Sequence, residues 1–158
     1  MTMKWKKNGY TLIEILVALT IIGLLFSFGY VSFRDFSRRQ TISGVAKNIQ
    51  GDLRLAQGNA ITGQKPVGCN TTLDTFGFRV LTTASYAIEA NCGATTVSVK
   101  SVSLPAGVSI STPTPNPLLF KILGQGTNLG ATDWALILTQ TGTGNTVTVT
   151  VTSGGEIK

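Results

Sequence analysis

Histidine is absent from the 158 residues, and only 2 cysteines and 7 acidic side chains are present. Without histidine the chain lacks the commonest general base and metal ligand near neutral pH. Asp74, Glu89 and Asp133 are acidic candidates, but no nucleophile–base pattern or phosphate-cradling loop accompanies them. Catalysis, a cofactor and a metal are therefore not expected. Cys69 and Cys92 are too few for a metal site of their own. The even count favours one disulfide, in a compartment outside the reducing cytosol, over the alternative of two buried thiols.

Charge is scarce over one long stretch. From Asn8 to Phe33 the only formal charge is Glu14, and a helix of about 26 residues would reach roughly 39 Å, more than a hydrocarbon core of about 30 Å. Residues 10–33 are therefore expected to span a membrane. Lys4, Lys6 and Lys7 precede the run and keep the short N-terminal end cytoplasmic, so the remainder lies outside. A secretory signal peptide is the competing reading, but the run exceeds the usual apolar region and no A-x-A-like site follows it. The net charge of +6 owes much to those leading lysines: residues 10–158 hold 10 basic side chains against 7 acidic ones. Nucleic-acid binding draws little support from so even a balance.

Past the apolar run the helix is expected to continue. Ile42, Val45, Ile49, Leu53, Ala56 and Ala60 recur at spacings of three and four, with Lys47, Asn48, Gln50, Asp52, Arg54 and Gln57 assigned to the other faces. Gly23, Gly29, Gly44 and Gly51 weaken it locally and leave room for a bend or a melted turn, while Gly63 and Pro66 mark its end. The texture then turns to short β-branched runs. Strands are expected at 67–69, 75–81, 86–89, 96–103, 108–110, 118–122, 134–139 and 146–152. TVTVTVT alternates strictly, and the turn TGTGN before it makes a terminal hairpin with WALILTQ. STPTPNP, with Pro113, Pro115 and Pro117, reads as an exposed extended loop.

KKNG followed by YTLIEILVALTIIGLL resembles the leader and first helix of type IV pilins and of type II secretion pseudopilins. The resemblance implies an α+β pilin-like fold, a long N-terminal helix packed on an antiparallel β-sheet domain. It divides the chain into a leader, residues 1–9, a transmembrane and assembly half-helix, residues 10–33, and an extracytoplasmic domain, residues 34–158. Gly9 matches the residue after which prepilin peptidase cuts, and Tyr10 the new N-terminus that is methylated. Glu14 matches the glutamate that pairs with the N-terminal amine of a neighbouring subunit. Physical chemistry gives that pairing a basis, since an amine and a carboxylate four residues apart lie about one turn apart on a helix. A neighbour displaced axially by about 5.4 Å brings one to the other. The competing reading has Glu14 reaching the headgroup level with no partner.

VAKNIQGDLRLAQGNAITGQKPV is similar to the helix end of the GspH/FimT group, through Leu53, Ala56, Ala60, Ile61, Gly63 and Val67. Where that group has Arg-Ser-Glu-Ala, this chain has Gln57, Gly58, Asn59 and Ala60. The implied function is a structural subunit of a type IV pilus-like filament or type II secretion pseudopilus. Its implied partners are prepilin peptidase, other subunits in a helical filament and an inner-membrane assembly platform. A minor subunit is preferred over a major pilin, because Gly29, Tyr30 and Val31 stand where major pilins often carry a kinking proline. The alternative is a DNA-binding minor pilin of a competence filament. Against it, the tail VTSGGEIK lacks an arginine cluster.

Overall fold

A computed structural model describes residues 9–158, and for residues 26–32 only their helical backbone. The expected leader, residues 1–9, thus lies outside the described residues except for Gly9.

Helix α1 runs Leu12–Thr62, unbroken through Gly23, Gly29, Gly44 and Gly51. Its end is chemically explicit. Gly63 takes φ 64°, its N–H bonds the Ala60 carbonyl, and the Gln64 N–H bonds the Asn59 carbonyl, each at 3.2 Å. This is the paired closure that a left-handed glycine allows, and it satisfies carbonyls that the helix would otherwise leave open.

The chain forms two units, Met1–Ser37 and Arg38–Lys158. In the second, Ile42, Val45, Ile49, Leu53, Ala56 and Ala60 are all buried, as their spacing predicts. Seven strands follow: β1 Leu73–Thr82, β2 Ser85–Cys92, β3 Thr95–Ser103, β4 Val108–Ile110, β5 Leu118–Lys121, β6 Trp134–Gln140 and β7 Thr146–Val151. They make two antiparallel sheets, ordered β3-β2-β1-β5 and β4-β6-β7, in the α+β arrangement expected. One core joins both sheets to the helix stripe. Phe78 of β1 sits at its centre, its ring 4.9 Å from Tyr86 of β2 and 5.7 Å, edge-on, from Trp134 of β6.

The edges are covered unequally. On β5, Leu119 donates to the Asn128 side chain at 2.8 Å and accepts from the Asn128 N–H at 3.0 Å. The C-terminal tail closes β7, with Thr150 and Lys158 exchanging bonds of 3.1 and 2.9 Å. Strand β3 is guarded differently, by a register shift opposite Ile88 and Glu89 and by Lys100, devices that discourage edge-to-edge pairing.

Two expectations are corrected. Residues 67–69 form a turn, not a strand: Gly68 takes φ 94°, the Cys69 N–H bonds the Pro66 carbonyl at 3.1 Å, and Val67 is 99% exposed. The proline segment is not an exposed loop, for Pro113 is buried. The Asn116 amide exchanges two 2.9 Å bonds with the backbone of Val80, and Trp134 donates its indole N–H to the Pro115 carbonyl at 3.0 Å. Prolines that cannot donate to a ladder are thus docked through a side chain and a carbonyl.

Candidate assembly segment

Local chemistry starts the helix just after Tyr10. Thr11 caps it, its hydroxyl accepting the Glu14 N–H at 3.3 Å and its carbonyl accepting from Glu14 and Ile15 at 3.1 and 3.3 Å. Thr11-Leu12-Ile13-Glu14 thus has the capping-box pattern, threonine at the cap and glutamate three residues on. A carboxylate in the first turn also meets the positive end of the helix dipole, worth about 0.3–1 kcal/mol. Glu14 therefore has a role within its own helix besides the pairing expected of it, and the T-x-x-E spacing signals that cap.

Every residue from Gly9 to Leu25 is exposed in the isolated chain. Apolar side chains cover all sides of the helix there, with Leu12 84%, Ile13 71%, Leu19 64% and Leu25 67% exposed. A surface helix keeps one apolar stripe, whereas a helix apolar all round belongs in lipid or within other protein. Between Leu12 and Leu25 the polar side chains are Glu14 and Thr20. Thr20 is satisfied within the helix, donating to the Val17 carbonyl at 2.8 Å. The Glu14 carboxylate has no ion-pair partner among the described residues.

Among the described residues no helix is long and apolar enough to cross a membrane. The described apolar side chains run Leu12–Leu25, fewer than the roughly 20 a spanning helix needs. The expected span, residues 10–33, extends through side chains outside that description.

In the second unit three ion pairs occur among the described residues. Asp52, 7% exposed, accepts the Tyr86 hydroxyl at 2.8 Å and the Lys100 ammonium at 2.7 Å, tying α1 to β2 and β3. Burial pushes the Tyr86 hydroxyl well above its usual pKa, and the hydrogen bond to Asp52 and that carboxylate's charge push it further. Asp52 was expected on an outer face. Its position three residues after Ile49, beside Leu53, puts it on the buried one, and the acceptor it provides explains why it is there. Arg79 pairs with Glu89 at 2.6 Å and Lys158 with Glu156 at 3.0 Å. Asp74 accepts the Gly93 N–H and Asp133 the Ser153 N–H, each at 3.0 Å. Asp74, Glu89 and Asp133 therefore hold separate structural contacts and form no shared site. Cys69 and Cys92 are bonded, joining the turn after α1 to the end of β2. Thr71 braces the same corner by donating to the Cys92 carbonyl at 2.7 Å.

Comparison with known proteins finds two family models in the chain. The prokaryotic N-terminal methylation motif matches residues 6–30, and the type II transport protein GspH matches residues 45–155. Among solved structures the chain is similar to the minor pseudopilin EpsH from the type 2 secretion system of Vibrio cholerae. The two share 15% identity with a TM-score of 0.56, over 75% of this chain and 94% of that one. At that identity the likeness is one of fold. No curated protein matches the chain.

Proposed function

The chain belongs to the type II transport protein GspH family, and from that premise we propose that it is a minor subunit of a type II secretion pseudopilus. In this reading prepilin peptidase cuts after Gly9 on the cytoplasmic side, and the new N-terminus at Tyr10 is methylated. Residues 10–33 anchor the product in the inner membrane by a single pass, N-terminus inside, with residues 34–158 outside. An assembly platform then draws the helix into a filament beside other pseudopilins. The role is structural; no catalytic group or cofactor enters it.

The observation that carries this reading is the contrast within Leu12–Leu25: apolar side chains on every side and one carboxylate, Glu14, with no ion-pair partner among the described residues. A charged side chain costs about 2.5–3.5 kcal/mol at a bilayer centre on insertion scales, and less toward the boundary, where the first turn that carries Glu14 would lie. The helix dipole offsets about 0.3–1 kcal/mol of that. The cap therefore makes Glu14 tolerable without making it stable in lipid, and the remainder favours an amine on a neighbouring helix. Buried ion pairs are best attested as devices that set register, which is what a helical filament needs from its subunits.

Expression of the full chain with a prepilin peptidase tests the processing steps. Mass spectrometry should show the loss of residues 1–9 and one added methyl group on Tyr10. An uncut chain, or a cut elsewhere, overturns the assignment of Gly9.

A further inference from the structure

Charge is divided unequally within the second unit. Residues 66–158 hold 4 basic and 4 acidic side chains, which cancel. The helical end of the unit holds five basic side chains, Arg38, Arg39, Lys47, Arg54 and Lys65, against one acidic one, Asp52. Asp52 is buried and already taken up by Tyr86 and Lys100. The outer side of this stretch of α1 therefore carries charge of one sign. Arg39, Lys47 and Arg54 are exposed there, and none has a carboxylate partner among the described residues.

Lys47 and Arg54 are seven positions apart, which puts them on one face of the helix about 10.5 Å apart along its axis. Gly44, Gly51 and Gly58 alternate with them at spacings of three and four. All three glycines are exposed, and a Cβ at any of them would meet nothing within 4 Å. Packing inside the domain thus gives no reason for glycine at these positions, where each costs helix stability relative to alanine. Bare backbone between two cations lets a second helix approach closely while its carboxylates reach them.

We propose that this face packs against a helix of a different, acidic subunit, whose carboxylates, spaced seven positions apart, meet Lys47 and Arg54 across Gly51. The inference rests on the reading of α1 as an assembly helix and adds which neighbour that helix accepts. A second copy of this chain does not fit, because the same stretch of its helix offers cations and no exposed carboxylate, and like charges brought together repel. A nucleic-acid strand would answer the charge and leave the three glycines unexplained.

The test is energy transfer between full chains in detergent micelles, with donor and acceptor dyes on a C-terminal tag. The probe is the copy with Lys47→Glu and Arg54→Glu, which presents the acidic helix. Mixed pairs of the wild-type chain with this copy should form about tenfold more tightly than pairs of either chain with itself. Salt at about 0.5 M should remove the gain, since the charges are exposed. Gly51→Leu in the wild-type partner enters open space and favours the helix, so the domain should melt no lower while mixed pairing falls by about fivefold. Cleavage after Gly9, read by mass in the same preparations, reports separately on the proposed function. Equal transfer in all three mixtures, a gain that survives salt, undiminished mixed pairing with Gly51→Leu, or a DNA duplex that binds the wild-type chain and not the reversed copy overturns the proposal.

Discussion

The first turns of α1 and the unit Arg38–Lys158 treat polar groups in opposite ways. In the unit, a buried carboxylate is given a hydroxyl and an ammonium, as Asp52 is by Tyr86 and Lys100. Apolar side chains turn inward, and the exposed ends of two sheets are closed by the chain's own residues. Between Leu12 and Leu25 the apolar side chains turn outward, and Glu14 has no ion-pair partner among the described residues. The same chain that pairs its buried carboxylate in one region leaves a carboxylate open in the other. Open groups in a helix that is apolar all round call for surroundings supplied from outside, which in the proposed function are lipid and neighbouring helices. The two regions should therefore fail independently when altered.

The largest effect is expected in the core of the domain. Trp134→Ala removes the ring that packs edge-on against Phe78 and the donor to Pro115, and should destabilise the domain by about 3–5 kcal/mol in denaturant titration. Cleavage after Gly9 should be unchanged. The disulfide comes next. Cys69 and Cys92 are separated by 23 positions, and closing a loop of that size is worth about 3 kcal/mol in the chain-entropy model. Reduction should lower the denaturant midpoint accordingly; an unchanged midpoint would remove the bridge from the account of stability.

A smaller loss follows from Asp52→Ala, which strips the Tyr86 hydroxyl of its acceptor. Lys100 is 46% exposed and turns to water, so the cost should be about 1–2 kcal/mol. The smallest effect is on pH dependence. The folded pKa of Tyr86 is raised, so the folded state holds its proton where the unfolded chain releases it. That contribution is complete below about pH 10 and declines as pH rises beyond it. Thermal melts should therefore show a loss above that pH that Tyr86→Phe reduces; an identical slope in the variant would contradict it.

The sequence made the regular parts of this comparison legible and concealed the contacts between them. Helix periodicity placed the buried stripe from Ile42 to Ala60, and β4, at Val108–Ile110, matches its expected range. Alternation in the last strand likewise gave β7 and its hairpin with β6. Local pattern predicts such elements because their side chains repeat with the backbone. The division into two sheets depends on which strands meet, and no local period records that. Asp52 was misplaced because polarity was taken for exposure, when Tyr86 and Lys100, 34 and 48 residues away in sequence, supply the compensation. Pro113 was misplaced for the converse reason. Missing N–H groups suggested a loop in water, while Asn116 and the Pro115 carbonyl provided the bonds that dock it. At the helix start the opening residues are legible as a family signature, and the T-x-x-E spacing within it also encodes the cap between Thr11 and Glu14.

The central claim is that Glu14 acts between subunits and contributes nothing to the fold of the domain. Its most direct test is Glu14→Ala in the full chain, with filament incorporation measured by cross-linking and domain stability by thermal melting. The expected result is a domain that melts as before and a leader removed after Gly9, in a subunit that no longer enters filaments. Normal incorporation of the variant would contradict the claim.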